Sequence, residues 1–234
     1  MVNYFQAQFE THIRFSKKKE MTTVRQLEFA IVRGNTKKAS ALTLKCLQEG
    51  LPPSAIIERG ILKGLDTVGQ KWKTYEYFIP NVLVSAMAAK LCLNILHSST
   101  HTSGNHYIGK VIAGTVRGDV HDIGKNIVLM FMEVAGFEVI DLGIDVPPEQ
   151  FVKTARKEKP DLLLLSCLYT LTMHSMEDTI IALKRAGLKG KVKTIVGGAP
   201  VTQEFAASIG ADGFGVDAVE GVKKAKELLH GTRA

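Results

Sequence analysis

The chain has 234 residues, enough for one to two domains of roughly 150 residues each and for a sizeable core. Hydrophobic residues at 45% and charged residues at 23% match ordinary globular chains, which excludes wholesale disorder, a collagen-like repeat and a disulfide-stapled miniprotein. The net charge of +7 would suit a nucleic-acid binder if it were concentrated, but basic residues are spread in pairs such as Lys37-Lys38, Lys184-Arg185 and Lys223-Lys224, so no nucleic acid is expected.

Residues 1–20 hold no apolar stretch followed by a small-residue cleavage site, and 1–21 read as an extension before the first helical pattern. From 22 to 98 the periodicity is helical. Thr23 caps a helix carrying Val24, Leu27 and Ile31 and ending at Gly34. Asn35 caps a second, with Ala39, Leu42 and Cys46 apolar and Gly50 as its stop. Pro52-Pro53 opens a third that runs through Ile61 and Val68 to about Trp72, and a fourth starts near Pro80 and carries Val84, Met87, Leu91 and Ile95. Four short-linked amphipathic helices predict a bundle. The apolar runs between Glu76 and Lys90 and between Asp161 and Glu177 fall short of the roughly 18 residues of a membrane span, so no membrane contact is expected. Cys46, Cys92 and Cys167 are widely spaced and form no C-x-x-C, which fits a reducing cytoplasm.

A polar, turn-rich linker occupies 99–109, and the period then changes. Apolar runs at Val111 to Val116, Phe137 to Asp141, Leu162 to Ser166, Val192 to Val196 and Gly213 to Val216 alternate with helical segments across 110–234. Five buried strands separated by helices predict an α/β domain with a parallel sheet, and five strands favour the flavodoxin-like order 2-1-3-4-5. In that order ligands bind where the direction reverses, between the loops that follow strands one and three.

The loop after strand one reads Gly118-Asp119-Val120-His121-Asp122-Ile123-Gly124-Lys125-Asn126. It fails as a Walker loop, because Asp119 and Asn126 hold the positions of its first Gly and its Ser/Thr. It fails as a dinucleotide fingerprint, because Asp119 and His121 stand in the earlier glycine slots and carboxylates would repel a pyrophosphate. A histidine with a carboxylate two residues before it suits metal ligation, since a metal-bound imidazole usually donates its second N–H to a carboxylate. Gly124 would ease the turn into the helix and admit a bulky group. On these residues alone, a surface histidine beside a helix cap is the more ordinary reading.

The longer string Gly114-Thr115-Val116-Arg117-Gly118-Asp119-Val120-His121-Asp122-Ile123-Gly124 resembles the D-x-H-x-x-G signature of corrinoid-binding proteins that serve methyltransferases. The resemblance extends to Ser166-Cys167-Leu168-Tyr169-Thr170-Leu171-Thr172-Met173, to Gly197-Gly198-Ala199-Pro200 and to Ile209-Gly210-Ala211-Asp212-Gly213, with a helical cap like the half that precedes them. It implies cobalamin or another cobamide bound with its nucleotide base displaced, His121 as the lower ligand to cobalt, and an axial-ligand relay through Asp119 and Thr172. Gly118, Asp122, Ile123, Gly124 and Leu168 would line the cofactor, Ser166 and Thr170 the slot for the nucleotide tail, and Gly197 and Gly198 the close approach beside it. A simple strand-ending turn is the other reading of that glycine pair. Trp72, Phe78 and Met87 would contribute to a lid over the reactive face, or else to ordinary bundle core.

The implied function is a methyl carrier, taking a methyl group on Co(I) from a substrate-specific methyltransferase and giving it from methyl-Co(III) to a second methyltransferase with tetrahydrofolate or coenzyme M as acceptor. A reductive activator would be a third partner. The alternative is a cobalamin-dependent light-sensing transcription regulator. Against it, Val82-Leu83 stand where such regulators would carry Glu-His, ten residues after Trp72.

Overall fold

The computed structural model describes residues 23–99 and 107–232, so the expected extension at 1–21 and most of the 99–109 linker lie outside the described residues. The chain divides into two compact units, Met1–Ser103 and Gly104–Ala234.

In the first unit, α1 spans residues 23–32 and α2 is Thr36–Gln48. Asn35 caps α2 as its sequence position predicts, its side chain accepting from Lys38 N–H at 3.0 Å. The third helix is not uniform. Pro53–Ile56 (α3) passes through π-helical turns at Ile57–Leu62 into Lys63–Lys73 (α4). Gly60 and Gly64 face Leu27 and Ile31 of α1, where a Cβ would stand 2.9 and 3.0 Å from those side chains, so α1 seats against the missing side chains.

The fourth helix, α5, runs Ile79–Ser99, packs against α2 and α4, and buries Val82, Ala86, Ala89, Cys92, Leu93 and Leu96. Its 21 residues are long and apolar enough to cross a membrane by length and composition, which the two shorter apolar runs in the sequence did not suggest. The reason is that Lys90 interrupts the run without ending the helix. Phe78, at 62% exposed, and Met87, at 47%, lie outside the bundle core, and Trp72 is half-buried.

The second unit is a five-stranded parallel sheet in the order β2-β1-β3-β4-β5, as expected from the strand count. Its strands are β1 (Gly109–Thr115), β2 (Phe137–Asp141), β3 (Leu162–Ser166), β4 (Lys193–Gly197) and β5 (Gly213–Gly215). Alternate side chains of β1 and β3 feed two cores. Val111, Ala113, Leu162 and Leu164 join Leu129, Met132 and Leu229 from α6 (Ile123–Val134) and α10 (Ala218–Thr232). Ile112, Leu163 and Leu165 join Phe151, Met176 and Ile180 from α7 (Pro148–Glu158) and α8 (His174–Arg185), with α9 (Gln203–Ser208) adding Ala206. Burial on both faces explains the continuous run Leu162 to Leu165.

Candidate functional site

Thr115 at the end of β1 pairs with Ser166 at the end of β3, so the two following loops leave the sheet side by side. One carboxylate joins them. Asp119 is 1% exposed. Its Oδ1 accepts from the His121 N–H at 3.0 Å and lies 2.7 Å from His121 Nδ1. Its Oδ2 accepts from the N–H groups of Leu168 at 2.7 Å and Tyr169 at 2.9 Å, with the Thr172 hydroxyl at 3.1 Å.

Burial would raise the Asp119 pKa, but the backbone N–H groups of His121, Tyr169 and Leu168, together with the imidazole, hold it well below the usual carboxylate range. The carboxylate is therefore ionised and can only accept, which puts the imidazole proton on Nδ1. In the neutral imidazole the lone pair is then on Nε2, and the His121 side chain is 52% exposed. The His121 carbonyl is pinned from the other side by the Thr115 hydroxyl at 2.9 Å. These bonds make a fixed imidazole with one nitrogen free to ligate.

Thr172 has one hydroxyl proton and two pure acceptors in reach, the Tyr169 carbonyl at 2.7 Å and Asp119 Oδ2 at 3.1 Å. Cys167 adds a second proton, its Sγ lying 3.1 Å from the same carbonyl and 3.2 Å from Thr172 Oγ1. When the thiol serves Tyr169, the hydroxyl is free for Asp119. Burial pushes the Cys167 pKa up, so the thiol keeps the proton this arrangement needs.

The other residues singled out in the sequence are placed as follows. Gly118 takes the turn, with φ at +84°, while Gly124 sits inside α6 with an ordinary helical backbone and no atom within 4 Å of a Cβ added there. The turn thus needs Gly118, and Gly124 leaves open space. Asp122 precedes α6 and accepts from Asn126 Nδ2 at 3.0 Å. Ile123, Leu168 and Thr170 are exposed, and Ser166 is half-buried with no side-chain hydrogen bond among the described residues. At Gly197 a Cβ would lie 2.8 Å from the Gly215 carbonyl oxygen, and at Gly198, with φ at +130°, it would collide with the Cys167 carbonyl. Both glycines are required first by the protein's own backbone.

Around His121 the edge is apolar and exposed. Val120, Ile123, Ile144, Leu168, Tyr169 and Leu171 all present themselves there, Leu171 at 69% exposure. A rim of this kind marks a surface that something large and apolar covers. Among the described residues no group of three or more His, Cys, Asp or Glu is placed to hold a bare metal ion, and what the site offers is one oriented imidazole inside an apolar rim. The residues present therefore fit a metal carried in a broad macrocycle.

Sequence reasoning missed the backbone amides of Leu168 and Tyr169, the Thr115 hydroxyl, Cys167 and Asp145. The Asp145 carboxylate accepts from Gly118 N–H at 2.7 Å. Its only signal was position, in the loop after β2 beside the strand-one loop.

Fold and edge define the chain's class, a cofactor-binding α/β domain preceded by a helical domain. Comparison with known proteins makes this specific. A B12 binding domain family model matches residues 109–223, and a second B12 binding domain model matches 23–97. Dimethylamine corrinoid protein 2 of Methanosarcina acetivorans is 41% identical over 209 residues, covering 89% of this chain and 96% of that protein. Among solved structures, a cobalamin-binding protein from Desulfitobacterium hafniense aligns at a TM-score of 0.76 and 30% identity, covering 88% of this chain and 98% of its own. The methanol:cobalamin methyltransferase complex MtaBC of Methanosarcina barkeri aligns at 0.74 and 28%, covering 90% of this chain and 80% of the matched one. The chain belongs to the corrinoid-protein family, and its cofactor is a corrinoid.

Proposed function

We propose that this chain is a methyl carrier in which His121 is the lower axial ligand to corrinoid cobalt, Asp119 holds the imidazole, and Thr172 completes the relay behind it. The observation that carries this reading is the 2.7 Å contact between Asp119 Oδ1 and His121 Nδ1, which leaves Nε2 as the nitrogen able to ligate. When bound, the cobalt supplies the nucleophile and the leaving group of methyl transfer. The chain's own residues position, shield and tune it.

Val120, Ile123, Leu168 and Leu171 seat the macrocycle by apolar contact, and the open side of Gly124 leaves room for its edge. The unbonded Ser166 hydroxyl and the neighbouring Thr170 are assigned to the displaced nucleotide tail, whose base needs a hydrogen-bonding partner. Gly197 and Gly198, at the end of β4, are assigned to the border of that path, although a Cβ on either would meet the protein's own backbone first. The helical unit exposes Phe78, Ile79, Val84, Met87 and Leu91, an apolar stripe of the kind that a bound partner or cofactor covers.

The partners follow from the same reading. Relatives named for dimethylamine and a matched structure named for methanol support a methyltransferase that selects a small methylated donor. A second methyltransferase, with tetrahydrofolate or coenzyme M as acceptor, and a reductive activator complete the cycle. The test is reconstitution with cobalamin. The wild-type protein retains it through gel filtration with the absorption spectrum of base-off, histidine-ligated coordination, and His121→Ala loses that spectrum. Failure of the wild type to retain cobalamin would overturn the proposal.

A further inference from the structure

Asp145 combines three features that its place in an exposed loop does not require. It is a non-glycine residue in the left-handed region, with φ at +51°. Its carboxylate accepts from the Gly118 N–H at 2.7 Å, and its own N–H donates to the Asp119 carbonyl at 2.9 Å. The segment around it extends the β1–β2 pairing past the strand ends. Leu142 N–H reaches the Ala113 carbonyl at 2.8 Å, Thr115 N–H the Gly143 carbonyl at 3.0 Å and Val146 N–H the Thr115 carbonyl at 2.9 Å.

The two Asp145 bonds hold the chain on either side of the Gly118–Asp119 peptide, at the Gly118 N–H and at the Asp119 carbonyl. The Asp119 carboxylate is thus held by the loop after β3, and its backbone by the loop after β2. The backbone hold adds to the bonds that already orient His121, because a carboxylate on a loose backbone turn could follow the imidazole instead of steadying it. A left-handed aspartate carries a conformational cost that glycine at the same position would not. Its retention in this geometry has a purpose if the carboxylate is needed.

We infer that Asp145 is a positioning residue for the cobalt ligand, clamping the Gly118-Asp119 turn so that Asp119 presents a fixed acceptor to His121. The inference rests on the proposed ligation by His121. Loss of an outer partner of a metal-binding histidine typically weakens binding by about 10- to 100-fold, and Asp145, one step further out, belongs at the low end.

Three variants test it, each measured with and without cobalamin. Asp145→Gly removes the carboxylate arm of the clamp, keeps the backbone bond to Asp119 and relieves the left-handed backbone, so its apo melting temperature stays near the wild-type value. It nevertheless releases cobalamin about tenfold faster, with a smaller histidine-ligated fraction in its spectrum. Asp145→Ala shows the same faster release. Asp145→Asn, which tolerates the left-handed backbone and keeps an acceptor for Gly118, restores wild-type release. In the apo protein, nitrogen NMR of His121 reads the position directly, with the Nδ1–H tautomer narrow in the wild type and Asn variant and broadened by exchange in the Gly variant. If Asp145→Gly releases cobalamin at the wild-type rate with an unchanged His121 signal, the inference is overturned. If the wild type itself binds no cobalamin, the proposed ligation fails, and the apo NMR comparison still decides whether Asp145 positions His121.

Discussion

Replacing Asp119 by asparagine changes one oxygen to an NH2 group and should disable His121 without touching it. The carboxylate faces His121 N–H and Nδ1 on one oxygen and Leu168 N–H, Tyr169 N–H and Thr172 on the other. An amide must put its NH2 on one of these sides. Toward Leu168 and Tyr169 it would leave two buried N–H donors unpaired, each costing about 1–3 kcal/mol. Toward His121 it opposes one backbone N–H and can pair with Nδ1 if that nitrogen accepts, so this orientation wins by about 1–3 kcal/mol.

The imidazole proton then moves to Nε2, the nitrogen proposed to bind cobalt. An amide in place of an orienting carboxylate selects the wrong tautomer in just this way. Binding has to reverse the tautomer, and cobalamin affinity falls by about 10- to 100-fold, or about 1.4–2.7 kcal/mol. The assay pairs nitrogen NMR of His121 in the apo variant with a cobalamin titration followed by absorbance. An apo variant that keeps the Nδ1–H tautomer, or that binds with wild-type affinity, would refute the reasoning.

Thr172→Val should be mild by comparison. Asp119 Oδ2 keeps two backbone donors and Cys167 can serve the Tyr169 carbonyl, so denaturation should show a loss of about 0.5–1.5 kcal/mol and cobalamin affinity should change less than tenfold. Gly198→Ala should cost about 3 kcal/mol or more in chemical denaturation, because its Cβ meets the Cys167 carbonyl at a φ that L-residues avoid. Stability should fall as the medium is made acid. Asp119 and Asp212 both resist burial's upward push, the latter through Lys189 and Thr194, and both lie below their ordinary values when folded. Their contribution is fully present above the unfolded carboxylate pKa of about 3.9 and is lost as pH drops through the folded values. Midpoints in urea should therefore decline below about pH 4, and a rise there would contradict the assignment.

The sheet was legible because the strands are short apolar runs between helical stretches, and their order followed from their number. His121 and Asp119 stood out because a D-x-H at the end of strand one is a side-chain pattern, and their side chains meet at 2.7 Å. The amides of Leu168 and Tyr169 did not, since backbone N–H groups carry no sequence identity, and Asp145 did not, because its carboxylate meets Gly118 across 27 residues of chain. Gly198 was noticed, yet its reason lies in the Cys167 carbonyl, a tertiary contact. On α5, apolar residues occur on buried and exposed sides alike, so Met87 and Leu91 could not be assigned to either by periodicity. Across the π-helical turns at Ile57–Leu62 the buried residues Ile56 and Ile61 stand five apart, a spacing that the α-helical reading of this segment passed over.

The central claim is that His121 nitrogen replaces the cofactor's own base on cobalt. Electron paramagnetic resonance of the cobalamin-loaded protein in the Co(II) state tests it, with histidine nitrogens at natural abundance and then labelled with nitrogen-15. The account predicts a three-line splitting that becomes two-line on labelling and disappears in His121→Ala. A splitting that ignores the label would mean that the cofactor keeps its own base, and would contradict the account.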